Sequence, residues 1–438
     1  MRAMFVACAA AVAVTLFAPR DAAAQAPDAQ QVQQQIEQLR QEFNQRISAL
    51  EAQLAALQGG QAAPAPVPSP PETGQAPPSP SATTEVPPGA AGAGGPAGTL
   101  PVYGTASSAS KVFNPDMAVI GDFLGAAGHN PVNPSPAFEM HESEVSLQAV
   151  VDPYARADFF ISFGEEGVDL EEGFVTFPAL PGGLLFRAGE MRAAFGKVNT
   201  LHNHVLTWTD RPLVTNNLVA GEEGISDAGL SVARLVPNPW IFLEATGQVF
   251  RGDSGDLFHS TSPGDLSYVG HLRGYHDLTE NTNVDLGVSY ARGHNTAGVV
   301  DDVDVGRFTT DLWGIDGTVR WRPLQRSIYH SFIARSELVW SNRQQFDATA
   351  KSFGYYVSGD YQLARRWYAG ARFDRSERAA DASVHDTGGS LLLTFRPSEF
   401  SQVRGQYRHV HFGAEDDTAH EFLFQLQFSI GAHGAHPF

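Results

Sequence analysis

The chain predicts an all-β transmembrane β-barrel of about 16 antiparallel strands, preceded by an N-terminal coiled-coil helix and a disordered Pro/Ala/Gly linker. Three observations carry this. From Val112 onward, segments of about ten residues alternate apolar with polar or charged residues and are separated by turn residues. Tight turns alternate with longer Gly-rich or acidic connections, as the two ends of a membrane barrel require. The face opposite the charges carries Phe, Leu, Val, Tyr and Trp in strand after strand, which suits lipid and not the wet exterior of a soluble sandwich.

Residues 1–24 read as a signal peptide. Ala3 to Leu16 is apolar, Arg2 stands in front of it, and Ala22-Ala23-Ala24 supplies small residues for cleavage before Gln25. The single cysteine, Cys8, lies inside this run, so a mature chain starting at Gln25 has no thiol for a disulfide, a metal or nucleophilic chemistry. No apolar run reaches the roughly 18 residues of a spanning helix, which excludes a helical membrane bundle. With 48 Asp plus Glu against 29 Lys plus Arg, the formal charge of −19 excludes nucleic acid as a partner.

Residues 30–58 form the coiled coil. Val32, Ile36, Leu39, Phe43, Ile47, Leu50, Leu54 and Leu57 are spaced 4, 3, 4, 4, 3, 4, 3, a seam with one stutter. So short a helix needs partners, and a homo-oligomer, a trimer or a dimer, is the expectation; docking of the stripe on the chain's own barrel is the alternative. Residues 59–111, with APAPVPSPPETGQAPPSP and GAAGAGGPAG, cannot bury a core and make a tether.

Residues 112–438 are the barrel. Glu142, Glu144, Ser146 and Gln148 share one face against Val145, Leu147, Ala149 and Val151, and Arg156 with Asp158 oppose Phe159, Ile161 and Phe163. Glu142, Glu144, Arg156, Asp158, Arg187, Arg404 and Arg408 are the expected lumen-lining set. Turns fall at Asp152-Pro153, Pro181 to Gly183, Pro237 to Pro239, Thr279 to Thr282, Gln325 to Ser327 and Arg365-Arg366. In the closing strand Phe422, Phe424, Leu426 and Phe428 face lipid while Gln425, Gln427 and Ser429 point inward, and Phe438 ends the chain. A terminal Phe resembles the signal by which barrel assembly machinery recognises outer-membrane proteins; here a GAHGAH tail stands between it and the strand.

NPDMAVIGDFLG (Asn114 to Gly125), FRAGEMRAAFGKVNTLHNH (Phe186 to His204), TDRPLVTNNLVAGEEGISDAGLSV (Thr209 to Val232) and the FSIGAHGAHPF end resemble porin-like bacterial outer-membrane proteins often labelled zinc-regulated outer-membrane receptors. The coiled coil ahead of an FRAGEMRAAFG-like strand is similar, more distantly, to the phosphate-selective porins. The resemblance implies a Gram-negative outer membrane, with lipid and lipopolysaccharide around the barrel and the coiled coil and linker in the periplasm. An energy-coupled receptor would need a globular plug inside a barrel of about 22 strands, and the segments before Val112 encode none.

Restriction of the pore therefore falls to the connection Arg192 to Gly224, between the fifth and sixth strands, which by analogy with general porins folds into the lumen. Its constriction candidates are Lys197, His202, His204, Asp210, Arg211, Glu222 and Glu223. His202 and His204 form an H-x-H pair whose imidazoles can share one divalent cation, with Asp210, Glu222 or Glu223 as a further ligand. His433 with His436, and His409 with His411, are further candidates, with a place in the rim at the membrane interface as the alternative. The acidic clusters Glu165-Glu166, Glu171-Glu172, Asp301-Asp302-Asp304 and Glu415-Asp416-Asp417 are expected to decorate loop ends.

No G-x-S-x-G, H-E-x-x-H or P-loop is present, so no catalytic residue and no cofactor beyond a divalent cation is expected. The expected function is a passive channel for small hydrophilic solutes or ions, metal ions among them, and the acidic excess tilts the expected selectivity toward cations. The alternatives are a zinc-uptake receptor using the loop 192–224 and an envelope anchor using the coiled coil.

Overall fold

A period of two sends successive side chains to opposite faces of a strand, and this is the pattern the barrel is built from. The computed structural model describes residues 115–431, except 165–166, 301–302 and 305. The signal peptide, coiled coil and linker read from the sequence, and the tail with His433, His436 and Phe438, lie outside the described residues.

The strands are β1 (Asp116–His129), β2 (Phe138–Asp152), β3 (Ala155–Gly164), β4 (Gly167–Leu180), β5 (Leu184–Arg192), β6 (Ser226–Leu235), β7 (Phe242–Phe250), β8 (Ser267–Thr279) and β9 (Thr282–His294). There follow a small ladder of β10 (Val299–Val300) with β11 (Val303–Asp304), then β12 (Thr309–Trp321), β13 (Phe332–Gln344), β14 (Thr349–Ala364), β15 (Trp367–Glu377), β16 (His385–Ser398), β17 (Ser401–Phe412) and β18 (Asp417–Gly431). Leaving out the ladder, sixteen strands pair antiparallel with their sequence neighbours, and β1 pairs with β18 from Ala118↔Gly431 to His129↔His420 to close the barrel. Closure satisfies the backbone groups that an open edge would leave bare in lipid.

All six predicted turns lie at the end of the barrel that carries Asp116 and Gly431. The opposite end carries the long connections 193–225, 251–266 and 295–308. Along β9 the inward Asp285, Gly287, Ser289 and Ala291 are buried while Leu286 and Val288 are exposed. In β18 Phe422, Phe424, Leu426 and Phe428 are exposed and Gln425 is buried, as the alternation predicts. Tyr154, Trp240, Tyr329, Trp367 and Phe400 form an exposed aromatic girdle at the turn-bearing end, the arrangement of a membrane interface. Among the described residues no helix is long and apolar enough to cross a membrane.

Two irregularities position side chains that matter below. The β1–β2 register shifts between Asp122 and Phe123, and the β3–β4 register shifts between Phe160 and Ile161. At the second, Glu172 pairs with Phe160 and Leu170 with Ile161, so Glu171 is the extra residue of a β-bulge.

Candidate functional site: the lumen loop and its wall

The connection 193–225 packs against the inner wall and is closed at its base. Ala193 N–H donates to Ile225 O at 2.8 Å. The Asn199 amide ties the same two segments, its Nδ2 donating to Ala193 O at 2.9 Å and Ile225 O at 3.0 Å while its Oδ1 accepts from Ile225 N–H at 2.7 Å. Gly224 makes this possible: its φ is +69°, and a Cβ there would sit 2.2 Å from Asn199 Oδ1.

Past the base, the loop makes two 3-10 turns (Val198–Thr200 and Asn203–Val205) and the short helix α1 (Leu213–Leu218). Its apolar residues Phe195, Val198, Leu206, Trp208, Val214, Leu218 and Val219 are buried in one cluster with wall residues Phe160, Phe174, Phe250, Leu312, Val339, Tyr356 and Leu392. Trp208 packs edge-on against Tyr356, with ring centroids 5.2 Å apart, and lies under the Arg372 guanidinium at 4.9 Å. The lumen at this level thus holds an apolar core as well as charge.

Polar contacts then pin the loop around much of the wall. Ala194 N–H donates to Gln248 Oε1 on β7 at 2.6 Å, and Gly196 N–H to Ser289 Oγ on β9 at 2.9 Å. Lys197 N–H and Val198 N–H share Glu337 Oε1 on β13, each at 2.7 Å. Asp210 Oδ2 accepts from Arg372 on β15 at 2.8 Å and from Arg408 on β17 at 3.1 Å, while Thr209 N–H donates to Gln406 Oε1 at 3.0 Å. Asn217 Nδ2 donates to Asp386 on β16 at 2.8 Å.

The second pole of the loop is a buried histidine–carboxylate cluster against β2 and β4. His202 Nδ1 lies 2.9 Å from both Glu144 Oε2 and Glu171 Oε2, and its Nε2 lies 2.9 Å from Glu172 Oε2. His204 Nδ1 lies 3.1 Å from Glu142 Oε1 and 3.7 Å from Glu144 Oε2. The two imidazole centroids are 5.6 Å apart. Arg192 closes one side, donating from Nη2 to Glu171 at 3.0 Å and from Nη1 to Glu223 O at 2.6 Å. Burial alone would push the His202 imidazole down, but Glu144, Glu171 and Glu172 outweigh it and hold it well above the usual histidine range.

The sequence candidates therefore separate. Lys197 is mostly buried, its Nζ 3.4 Å from Asp285, and burial, with Arg320 beside it, pushes its ammonium down to about 8. His202, His204 and Arg211 are buried in the loop–wall contact, not open to a pore. Arg211 is an internal staple, donating to Val198 O, Leu201 O and Asn203 Oδ1. Glu222 and Glu223 are exposed. The expected carboxylate ligands Asp210, Glu222 and Glu223 are not beside the histidine pair: Asp210 is taken by Arg372 and Arg408, and the carboxylates facing the imidazoles come from β2 and β4.

Glu171-Glu172 is corrected from a loop-end decoration to a wall element. Strict alternation would send neighbours to opposite faces, but the bulge at Glu171 lets both carboxylates turn inward. Glu165-Glu166 and Asp301-Asp302 lie outside the described residues, and Glu415 and Asp416 sit exposed at a loop end. In the structure much of the candidate lumen-lining set is paired: Arg156 with Asp158 at 2.6 Å, Arg404 with Gln425 at 2.7 Å, and Arg408 with both Glu421 and Asp210. Arg187 stacks its guanidinium 5.0 Å from the Phe174 ring centroid. His409 and His411 lie on the outer face near the rim, His409 meeting His420 across the strand pair. Sequence reading missed Asn199 and Trp208 and misplaced the Glu171–Glu172 pair; the buried contact of Asn199 with Gly224 that closes the loop has no local signature.

No family model matches the sequence. A protein of Aquifex aeolicus (strain VF5), described as uncharacterized, is 27% identical over 394 residues, spanning 77% of this chain and 83% of the relative. Among solved structures, OprB of Pseudomonas putida at high pH superposes with a TM-score of 0.51 at 11% identity, covering 72% of this chain and 94% of that one. The anion-selective porin from Comamonas acidovorans does so with a TM-score of 0.51 at 10% identity, covering 72% and 99%. These likenesses extend to the fold, a sixteen-stranded outer-membrane type of barrel, and lend nothing to the narrower receptor label.

Proposed function

We propose that the protein is a porin-type channel of a Gram-negative outer membrane, through which small hydrophilic solutes and ions pass passively along a lumen narrowed by the loop 193–225. The observation that carries this reading is a closed barrel, apolar outside, whose inner wall bears interleaved cationic and anionic side chains with a loop pinned among them. Arg273 and Arg320 pair with Asp285, Arg335 with Asp360, and Arg372 with Asp374, each along the wall within one strand or between adjacent strands. A lumen lined by such polar and charged groups favours hydrated polar solutes over apolar ones without a tight site. The solved neighbour titled an anion-selective porin supports a channel role.

The test is single-channel recording of purified, heat-modifiable protein in planar bilayers, with reversal potential under a KCl gradient. Stepped conductance is the expected result, and the sign of the reversal potential reports whether arginines or carboxylates govern passage. Folded protein that leaves the bilayer silent would overturn the channel reading. Self-association through residues 30–58 belongs to the same proposal, and cross-linking of wild type against a chain deleted for Gln30 to Gln58 tests it.

A further inference from the structure

The histidine–carboxylate cluster gathers more negative than positive charge in a place shielded from water. Glu142, Glu144, Glu171 and Glu172 bring four carboxylates together against one guanidinium, Arg192, and two imidazoles, so negative charge exceeds positive even with both imidazoles protonated. Glu144 is 0% exposed, and what faces its Oε2 is imidazole, His202 Nδ1 at 2.9 Å and His204 Nδ1 at 3.7 Å. A carboxylate in that position costs several kcal/mol unless a cation compensates it.

The donor atoms converge. One atom each from Glu144, His202 and His204 lies within 4.8 Å of the others, and the same holds for Glu142, Glu144 and Glu171. Ligand atoms about 2.1 Å from a common cation stand roughly 3.0 to 3.4 Å from one another in octahedral or tetrahedral arrangements. The separations here, 2.9 Å from His202 Nδ1 to Glu144 and to Glu171, 3.1 Å from His204 Nδ1 to Glu142 and 3.7 Å to Glu144, bracket that range.

We propose that His202, His204 and Glu144, with Glu142 and Glu171 completing the set, bind a first-row divalent transition-metal cation that clasps the lumen loop to the barrel wall. Two imidazoles with carboxylates suit zinc or manganese, whereas calcium and magnesium take oxygen donors alone. The ligands straddle two structures: the histidines belong to the loop, Glu142 and Glu144 to β2, and Glu171 to β4. A bound ion is therefore a cross-link between parts of the chain some 60 residues apart in sequence, His204 and Glu142 being separated by 62. Burial of every ligand predicts that the ion enters during folding and exchanges slowly afterwards.

The clasp does not depend on solute passage, and its test uses no membrane. The full chain is folded in detergent with equimolar zinc chloride and desalted; metal is then counted by elemental analysis, and the temperature at which the folded gel band converts to the unfolded one is recorded. The expected result is one zinc per chain and a raised conversion temperature. His202→Ala/His204→Ala should bring both to the metal-free level, and the near-isosteric Glu144→Gln should lower retention at least about tenfold. His409→Ala/His420→Ala, which removes an outer-face pair with Nδ1 atoms 3.2 Å apart, should retain the ion. The folded band shows that each variant has formed its barrel. Wild type that desalts free of zinc, retention unchanged in the loop double variant, or displacement of zinc by millimolar magnesium would each overturn the proposal; the first means that a protonated His202 bridges the carboxylates instead.

Discussion

Replacement of Asp210 by asparagine tests whether the charged pole opposite the histidine cluster holds the loop in place. Asp210 accepts from Arg372 at 2.8 Å, from Arg408 at 3.1 Å and from Gln406. Burial would raise its carboxyl, but the two guanidiniums and the Gln406 amide outweigh burial and take it down to about 2 from 3.8. That difference is worth about 2 kcal/mol of loop anchoring. The loss in Asp210→Asn should be near this figure and not the roughly 3–5 kcal/mol of a broken buried pair. Arg372 keeps Asp374 at 2.7 Å and Arg408 keeps Glu421, so neither guanidinium is stranded. The sixteen-stranded ladder is untouched, so the cost appears as local opening, with the open loop about 30-fold more populated. Hydrogen exchange followed by mass spectrometry at pH 7 reads this directly. Amides of Thr209 and Leu213, bonded to Gln406 and Asp374, should exchange about 30-fold faster while β9 and β12 keep wild-type rates. Because the folded value is depressed, the contribution is full above about pH 4 and disappears as pH falls through about 2. Unchanged protection over 206–218 in Asp210→Asn would refute the electrostatic anchor and leave the Trp208 cluster as the restraint.

Three further outcomes are expected. Lys197, pushed down to about 8, loses its charge there, so cation permeability should rise as pH passes from 7 to 9, and Lys197→Met should flatten that inflection in reversal-potential measurements. The folded value lies below the usual 10.5, so the penalty for holding the ammonium is full below about pH 8 and is relieved as pH climbs toward 10.5; loop protection should therefore increase over that interval. Gly224→Ala forces a side chain onto Asn199 Oδ1 at a φ of +69°, and it should cost at least about 1–2 kcal/mol of loop closure, seen as protease nicking within 193–225 of a barrel that still shows heat modification. Leu391→Arg places a cation on the outer face, where Leu391 is 63% exposed midway along β16, and should cost about 2–4 kcal/mol in urea unfolding from lipid vesicles; a neutral result would mean that this face does not meet lipid.

The parts of this architecture that were legible in the sequence are those fixed by neighbours along the chain. Alternation in β2, β9 and β18 dictates which side chains turn inward, and Pro-, Gly- and Asn-containing turns mark one end, because both depend on residues two to four positions apart. The H-x-H pair was legible for the same reason: His202 is extended, with φ −69° and ψ 158°, and a single 3-10 turn carries His204 round to the same cluster. Its partners were not, since Lys197 meets Glu337 across 140 residues and Asp210 meets Arg408 across 198. Such pairings follow from register, and register changes where a bulge adds a residue.

The bulge at Glu171 shows how much one residue can decide. With strict alternation on β4, either Glu171 or Glu172 would face lipid, at a cost no barrel strand readily bears. The extra residue removes that cost and creates another, two adjacent carboxylates turned toward Glu142 and Glu144 in a space shielded from water. That arrangement persists only if positive charge enters with it, and the loop supplies ligands in His202 and His204 where a lysine or arginine would have sufficed for neutralisation alone. Arg192 already occupies the guanidinium position on one side. Two imidazoles beside carboxylates are a donor set for a divalent cation, which a lysine or arginine at either position could not supply.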